Sequence, residues 1–170
     1  MKKKTGIENL DPSSVACFVL TVSDSRTPRN DESGKTIVER LKGTGHVVTG
    51  YNVVPDEARD VVRTIRQAVD QLHLDAVIVN GGTGITRRDS TYGAIEGLIE
   101  RTLPGFGEYF RSLALAEKGP TAVLARATAG TFRGKLLFCL PGAPGAVRMA
   151  MDKIILPILG PAVGELRKDH

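Results

Sequence analysis

Three stretches of the chain, Val15 to Val22, Asp75 to Asn80 and Lys135 to Leu140, are apolar almost from end to end. Their length and lack of polar alternation predict strands buried on both faces, as in the middle of a parallel sheet. His46 to Val54 carries more polar residues and predicts a strand at an edge or half-exposed position. Between these strands the apolar period changes. Ile37, Val38 and Leu41 predict a helix that Asp31 or Ser33 can cap and that Gly43 to Gly45 ends. Val62, Ile65, Val69 and Leu72 are spaced 3, 4 and 3, one face of a helix opened by Pro55-Asp56-Glu57. Ile95, Leu98, Ile99 and Thr102 mark a helix from about Tyr92 that Thr102-Leu103-Pro104-Gly105 breaks. Phe106, Phe110 and Leu113 mark another, to Ala116. Thr121 to Ala129 reads as short helical or irregular, and Gly130 to Gly134 as a turn. Val147, Met151, Ile154 and Ile158 lie on the last helix, where Pro144 suits the first position because its missing N–H costs nothing there.

The order β-α-β-α-β-α-α-β-α predicts an α/β fold with a mainly parallel sheet between helices. At 170 residues the chain is long enough for one well-buried domain and too short for two ordinary ones. Residues 1–14 read as a flexible leader and 15–170 as a single domain, with no repeat or linker.

The most informative stretch is Asp75-Ala76-Val77-Ile78-Val79-Asn80-Gly81-Gly82-Thr83-Gly84, followed by Arg87-Arg88-Asp89-Ser90-Thr91. A buried strand running into a glycine turn and then a helix is how open α/β sheets build ligand sites. The turn's free N–H groups suit an anion, most often phosphate. It is neither named glycine motif: a dinucleotide G-x-G-x-x-G begun at Gly82 would need glycine where Arg87 stands. Gly34-Lys35-Thr36 imitates the tail of a P-loop, but the required first glycine falls at Arg29. Gly34 is read instead as part of a helix start. Further polar clusters follow the other strands: Ser23 to Arg26, Asp56, and Pro141 to Gly145. In a doubly wound sheet these meet on one edge. Arg26, Arg87 or Arg88 can hold phosphates there, and Asp56 and Asp89 can hold Mg²⁺, a hard cation that takes carboxylate and phosphate oxygens. Phosphoryl and nucleotidyl transfer need mainly such positioning and charge neutralisation.

Composition narrows the partners. The net charge of +4 is mild, and Lys2-Lys3-Lys4 supplies much of it as a solvated terminus. Five Phe, three Tyr and no Trp leave little for base stacking, so no nucleic-acid partner is expected. No apolar run approaches the ~20 residues of a membrane span. No signal-peptide core precedes the first strand, which points to the cytoplasm. Cys17 and Cys139 are isolated in apolar runs and read as buried thiols. His46, His73 and His170 show no ligand spacing.

The ordered motifs resemble the molybdopterin-binding family. They are Thr21-Val22-Ser23-Asp24-Ser25-Arg26, Val54-Pro55-Asp56-Glu57, Gly81-Gly82-Thr83-Gly84 with Arg88-Asp89-Ser90-Thr91, Pro104-Gly105-Phe106-Gly107-Glu108, and Leu140-Pro141-Gly142-Ala143-Pro144. The resemblance covers roughly residues 15 to 160 and is nearest to the molybdenum cofactor biosynthesis protein B type and the molybdopterin adenylyltransferases. It implies a three-layer α/β/α sandwich, assembled as a homotrimer or homohexamer. It also implies small-molecule substrates, ATP and molybdopterin, adenylylation with Mg²⁺, release of pyrophosphate, and other cofactor-biosynthesis proteins as further partners. Under it, Asp56 and Asp89 are the catalytic, metal-holding acids. Ser23, Asp24, Arg26, Gly81, Gly82, Thr83, Gly84, Arg88, Ser90, Pro141, Gly142 and Pro144 bind substrate or nucleotide. Some protein B relatives lack the first acid and its activity; this chain has it. The alternative is a non-catalytic molybdopterin binder or carrier. One departure stands out: Ala125-Arg126-Ala127-Thr128 replaces a serine-bearing stretch, so Thr128 would have to supply a hydroxyl contact there. Whether molybdenum or tungsten is the eventual metal is left open.

Overall fold

The structure, a computed structural model, describes residues 13–169. Most of the predicted leader, Lys2 to Lys4 included, and His170 lie outside the described residues. Six strands form one sheet: β1 (Ala16–Val22), β2 (Val47–Val54), β3 (Ala76–Asn80), β4 (Arg101–Thr102), β5 (Thr128–Phe132) and β6 (Lys135–Leu140), in the order β2-β1-β3-β6-β5-β4. β1 is parallel to β2 and β3, and β3 is parallel to β6. The expected parallel centre is therefore present. β5 runs antiparallel to β6, and β4 antiparallel to β5.

The central strands are apolar on both sides because helices cover both. Cys17 and Val19 of β1, Ala76 and Ile78 of β3, and Leu136 and Phe138 of β6 face one core. That core is closed by α1 (Glu32–Gly43), α4 (Pro104–Lys118) and a long C-terminal helix: α5 (Pro144–Ala150), a π-helical turn (Met151–Ile155) and α6 (Leu156–Leu166). Phe18, Leu20, Val77, Val79 and Leu137 point the other way, onto α2 (Ala58–Gln71) and α3 (Thr91–Leu98). The result is a three-layer α/β/α sandwich.

The fold differs from the sequence reading in three places. The helix expected to run to Thr102 stops at Leu98, because Glu100 N–H donates to Thr131 O (2.8 Å) and Leu103 N–H to Ala129 O (2.8 Å), drawing the segment into the sheet as β4. The stretch 121–129 does open in a 3₁₀ turn, Gly119–Leu124, but from Thr128 it becomes β5. Gly130 belongs to that strand and not to a turn: a Cβ there would stand 2.4 Å from Arg101 O, so glycine lets β4 approach. The actual turn is Arg133-Gly134, both with positive φ (49° and 72°), a two-residue hairpin connection.

Asp31 is the α1 cap: its Oδ1 accepts from Gly34 N–H at 3.0 Å, which bears out Gly34 as part of a helix start. Among the described residues no helix is long and apolar enough to cross a membrane.

Candidate functional site

β1, β3 and β6 end on one edge, where the chain order reverses about β1 and β3; such switch points open a crevice in doubly wound sheets. The strand ends are tied together there. Gly81 N–H donates to Leu140 O (3.0 Å), and a Cβ on Gly142 would lie 3.0 Å from Gly81 Cα. Gly81 and Gly82 have φ of 95° and 66°, a region that glycine enters without strain. A cavity of about 600 Å³ opens over these turns. Ser23, Arg26, Gly81, Gly82, Thr83, Gly84, Asp89, Pro141 and Gly142 line its polar side, and Phe110, Ala114 and Met149 an apolar wall. Arg26 donates from Nη1 to Gly142 O (3.0 Å) and Ser33 Oγ donates to the same oxygen (2.7 Å), which fixes the second turn. Ser23 Oγ accepts from Ser25 and Arg26 N–H (3.2 and 3.1 Å), turning the chain at the end of β1.

The two acids sit on either side of the first turn. Asp56 is only 7 % exposed and lies behind Gly82: a Cβ on Gly82 would be 2.7 Å from Asp56 Oδ2. Asp56 Oδ1 accepts from Ser90 N–H (3.1 Å) and Ser90 Oγ–H (2.8 Å), so its carboxyl does not cap α2; Glu57 holds the cap position. Asp89 faces the cavity beside Gly84. Its Oδ2 accepts from Thr86 N–H (3.0 Å) and Thr86 Oγ1–H (2.5 Å). The Thr86 hydroxyl bond is the main reason its carboxyl is held below the usual range.

Asp24, Arg88, Ser90 and Pro144 do not line the cavity. Arg88 forks onto Asp24 (Nε to Oδ2 2.7 Å, Nη2 to Oδ1 2.8 Å) and gives Nη1 to Glu57 Oε1 at 2.6 Å. Asp24 Oδ1 also accepts from Asp56 N–H (3.0 Å). Arg88 thus closes a brace that holds the Asp56 turn, and its hydrogen bonds lower the Asp24 carboxyl to about 2. Pro144 opens α5 at the first position of that helix.

The family model described as "Probable molybdopterin binding domain" matches residues 18–161. This chain belongs to the molybdopterin-binding family. It is 45% identical over 160 residues, 94% of each chain, to the molybdenum cofactor biosynthesis protein B of Halalkalibacterium halodurans. Its fold matches a crystal structure of a molybdenum cofactor biosynthesis protein B, with a TM-score of 0.89 and 42% identity over 92% of this chain and 98% of that one. It also matches the tungsten cofactor synthesizing protein MoaB from Pyrococcus furiosus, with a TM-score of 0.84 and 37% identity over 92% and 99% of the two chains.

In this member of the molybdopterin-binding family the altered 125–128 stretch does not behave as the sequence suggested. Thr128 is 5 % exposed, sits in β5 opposite Cys139 and does not line the cavity, so its hydroxyl replaces no lost serine contact. Ala125 and Arg126 are the residues of the stretch that line the cavity, and Arg126 brings the charge. Its Nη1 donates to Gly84 O (3.0 Å), and its guanidinium lies 4.3 Å from the centroid of the Tyr92 ring. The only signal in the sequence is an arginine between two alanines, which no local pattern ties to a turn some forty residues earlier.

Proposed function

We propose that this chain transfers the adenylyl group of ATP to molybdopterin. Family membership and the name shared by its relatives support a role in molybdenum cofactor biosynthesis. The observation that supports the finer reading is the pair of carboxylates, Asp56 against Gly82 and Asp89 against Gly84, beside one glycine turn beneath a cavity of about 600 Å³. In the transfer, a phosphate oxygen of the pterin bonds to the α-phosphorus of ATP. The bond from that phosphorus to the bridging oxygen breaks, and pyrophosphate leaves. Turn N–H groups beyond Gly81, whose own is given to Leu140 O, would hold phosphate oxygens in line, and Asp89, kept anionic by Thr86, would act there by holding a cation against them.

Among the described residues no group of three or more His, Cys, Asp or Glu side chains could hold a metal ion. Asp89 and Asp56 offer hard oxygens, and Thr91 Oγ1, buried without a partner, stands beside Asp56 at Gly82. That set fits a Mg²⁺ that comes with nucleotide phosphates and keeps its waters, the usual habit of this ion. Bound there, it would neutralise phosphate charge. The same reading has the protein in the cytoplasm, as a trimer or hexamer, beside other cofactor-biosynthesis proteins.

One observation favours a second reading, a non-catalytic molybdopterin carrier: Asp56 lies off the cavity wall and spends Oδ1 on Ser90, a role that needs no chemistry. Purified protein with molybdopterin, ATP and Mg²⁺ decides between them. Adenylylation predicts pyrophosphate release, slowed about a hundred- to a thousandfold in Asp89→Asn, with pterin fluorescence quenching little changed. Quenching by the wild type without any pyrophosphate establishes the carrier.

A further inference from the structure

The cations around the cavity are not equivalent. Arg88, an expected phosphate ligand, faces away and is consumed by Asp24 and Glu57. Arg26 has given Nη1 to Gly142 O and lies 3.8 Å from Asp31 Oδ1. Lys118 lines the rim from the last turn of α4, with no protein contact fixing its ammonium among the described residues. Arg126 differs from all three. The Gly84 carbonyl and the face of the Tyr92 ring together hold its guanidinium in place. It forms no ion pair among the described residues, although its charge contributes a smaller part of the lowering at Asp89. Among the described residues its Nε and Nη2 N–H groups have no protein acceptor, and its side chain is on the cavity wall.

We propose that Arg126 is a phosphate-binding residue of this site, reaching the glycine turn at Gly84 while Asp56 stands behind Gly82. A guanidinium offers a planar pair of donors that matches two phosphate oxygens, and here it is already held by Gly84 O and Tyr92. The turn N–H groups and the Arg126 fork then form two walls of one anion cradle, with Asp89 at its edge. The ligand chemistry is a phosphate ester or anhydride carried on a ring system, for which the wall of Phe110, Ala114 and Met149 provides apolar cover. This rests on the reading that a phosphorylated substrate occupies the cavity, but not on whether it reacts there.

Equilibrium binding tests it without turnover. Mg-ATP by calorimetry and molybdopterin by fluorescence quenching are titrated separately into wild type, Arg126→Ala, Arg126→Lys, Tyr92→Phe, Tyr92→Leu and Lys118→Ala, each first shown to melt like the wild type. Loss of a charged fork predicts about 10- to 100-fold weaker binding in Arg126→Ala for the ligand whose phosphate it holds. Arg126→Lys keeps the charge without the fork and should recover only part. Tyr92→Phe keeps the platform and should bind like wild type, while Tyr92→Leu should not. Lys118→Ala should move affinity by less than about threefold. Weakening with ATP alone assigns the nucleotide phosphates, and weakening with molybdopterin alone assigns the pterin phosphate. If a folded Arg126→Ala or Arg126→Lys binds both ligands as the wild type does, the inference is wrong. Should the wild type never release pyrophosphate while Arg126→Ala still loses binding, the adenylylation reading fails and this one stands.

Discussion

Gly82 is squeezed between two groups that no side chain could displace cheaply. A Cβ there would lie 2.1 Å from Thr91 Oγ1 and 2.7 Å from Asp56 Oδ2, on a backbone with φ of 66°. Gly82→Ala should therefore cost ~2–4 kcal/mol in urea unfolding, from strain and steric overlap together. Gly97→Ala, inside α3 with nothing within 4 Å of its Cβ position, should be neutral or gain up to ~1 kcal/mol. Equal losses in both variants would mean that Gly82 is not under this constraint. Asp24 offers a second check. Arg88 lowers its folded pKa to about 2, below the ~3.9 of an unfolded aspartate. Its stabilisation is complete above that unfolded value and is lost as pH falls through the folded one. Between pH 4 and 2 the urea midpoint of the wild type should fall more steeply than that of Asp24→Asn, with a small amplitude because the pair is half-exposed.

At the scale of the element, α1 depends on one buried carboxylate. Asp31 is fully buried, caps Gly34 N–H, accepts from the Tyr51 hydroxyl and lies beside Arg26. Asp31→Ala removes the cap and takes the carboxylate partner from the half-buried Tyr51 phenol. It should cost ~2–4 kcal/mol by denaturant titration and loosen the Arg26 contact to Gly142, weakening ligand binding. Ser33→Ala, which leaves the cap intact, should be milder. The three central strands and most helices were legible in the sequence because burial on both faces writes an unbroken apolar run, and burial on one face writes a helical period; half-exposed β2 was legible from its β-branched residues. β4 and β5 were not. Arg101 and Thr102 are exposed and form only a two-residue strand, and Gly130 inside β5 looks like a turn until the backbone that approaches it is known. The glycine turns and the two acids could be read because each follows a strand. The Asp24–Arg88 brace could not, since its partners lie 64 positions apart and each alone resembles an ordinary surface charge.

For the whole molecule, Cys17 and Cys139 are buried and free, and burial pushes each thiol up to about 12. Neither should react with a disulfide-exchange reagent at pH 8 until urea unfolds the chain, whereupon both should titrate. Fast labelling of the native protein would contradict the packing around β1 and β6. The exposed Leu115, Leu124 and 79 % exposed Val123 cluster in sequence around the end of α4 and the turn after it. With the family resemblance, this motivates the expected trimer or hexamer: sedimentation should give a mass well above one chain at micromolar concentration, and a stable monomer would refute it. The strand order carries a further consequence, for how the molecule comes into being. Thr21 pairs with Asn80 and Asn80 with Leu140, so the sheet edge that bears the cavity joins positions roughly sixty residues apart, twice over. Both long loops must close, at an entropic cost, before any of those contacts returns free energy. Folding should accordingly be slow for the chain's size, and a fragment that ends before β6 should lack the cavity. During refolding, ligand affinity should return only with the final phase, as the third strand docks and the two glycine turns meet.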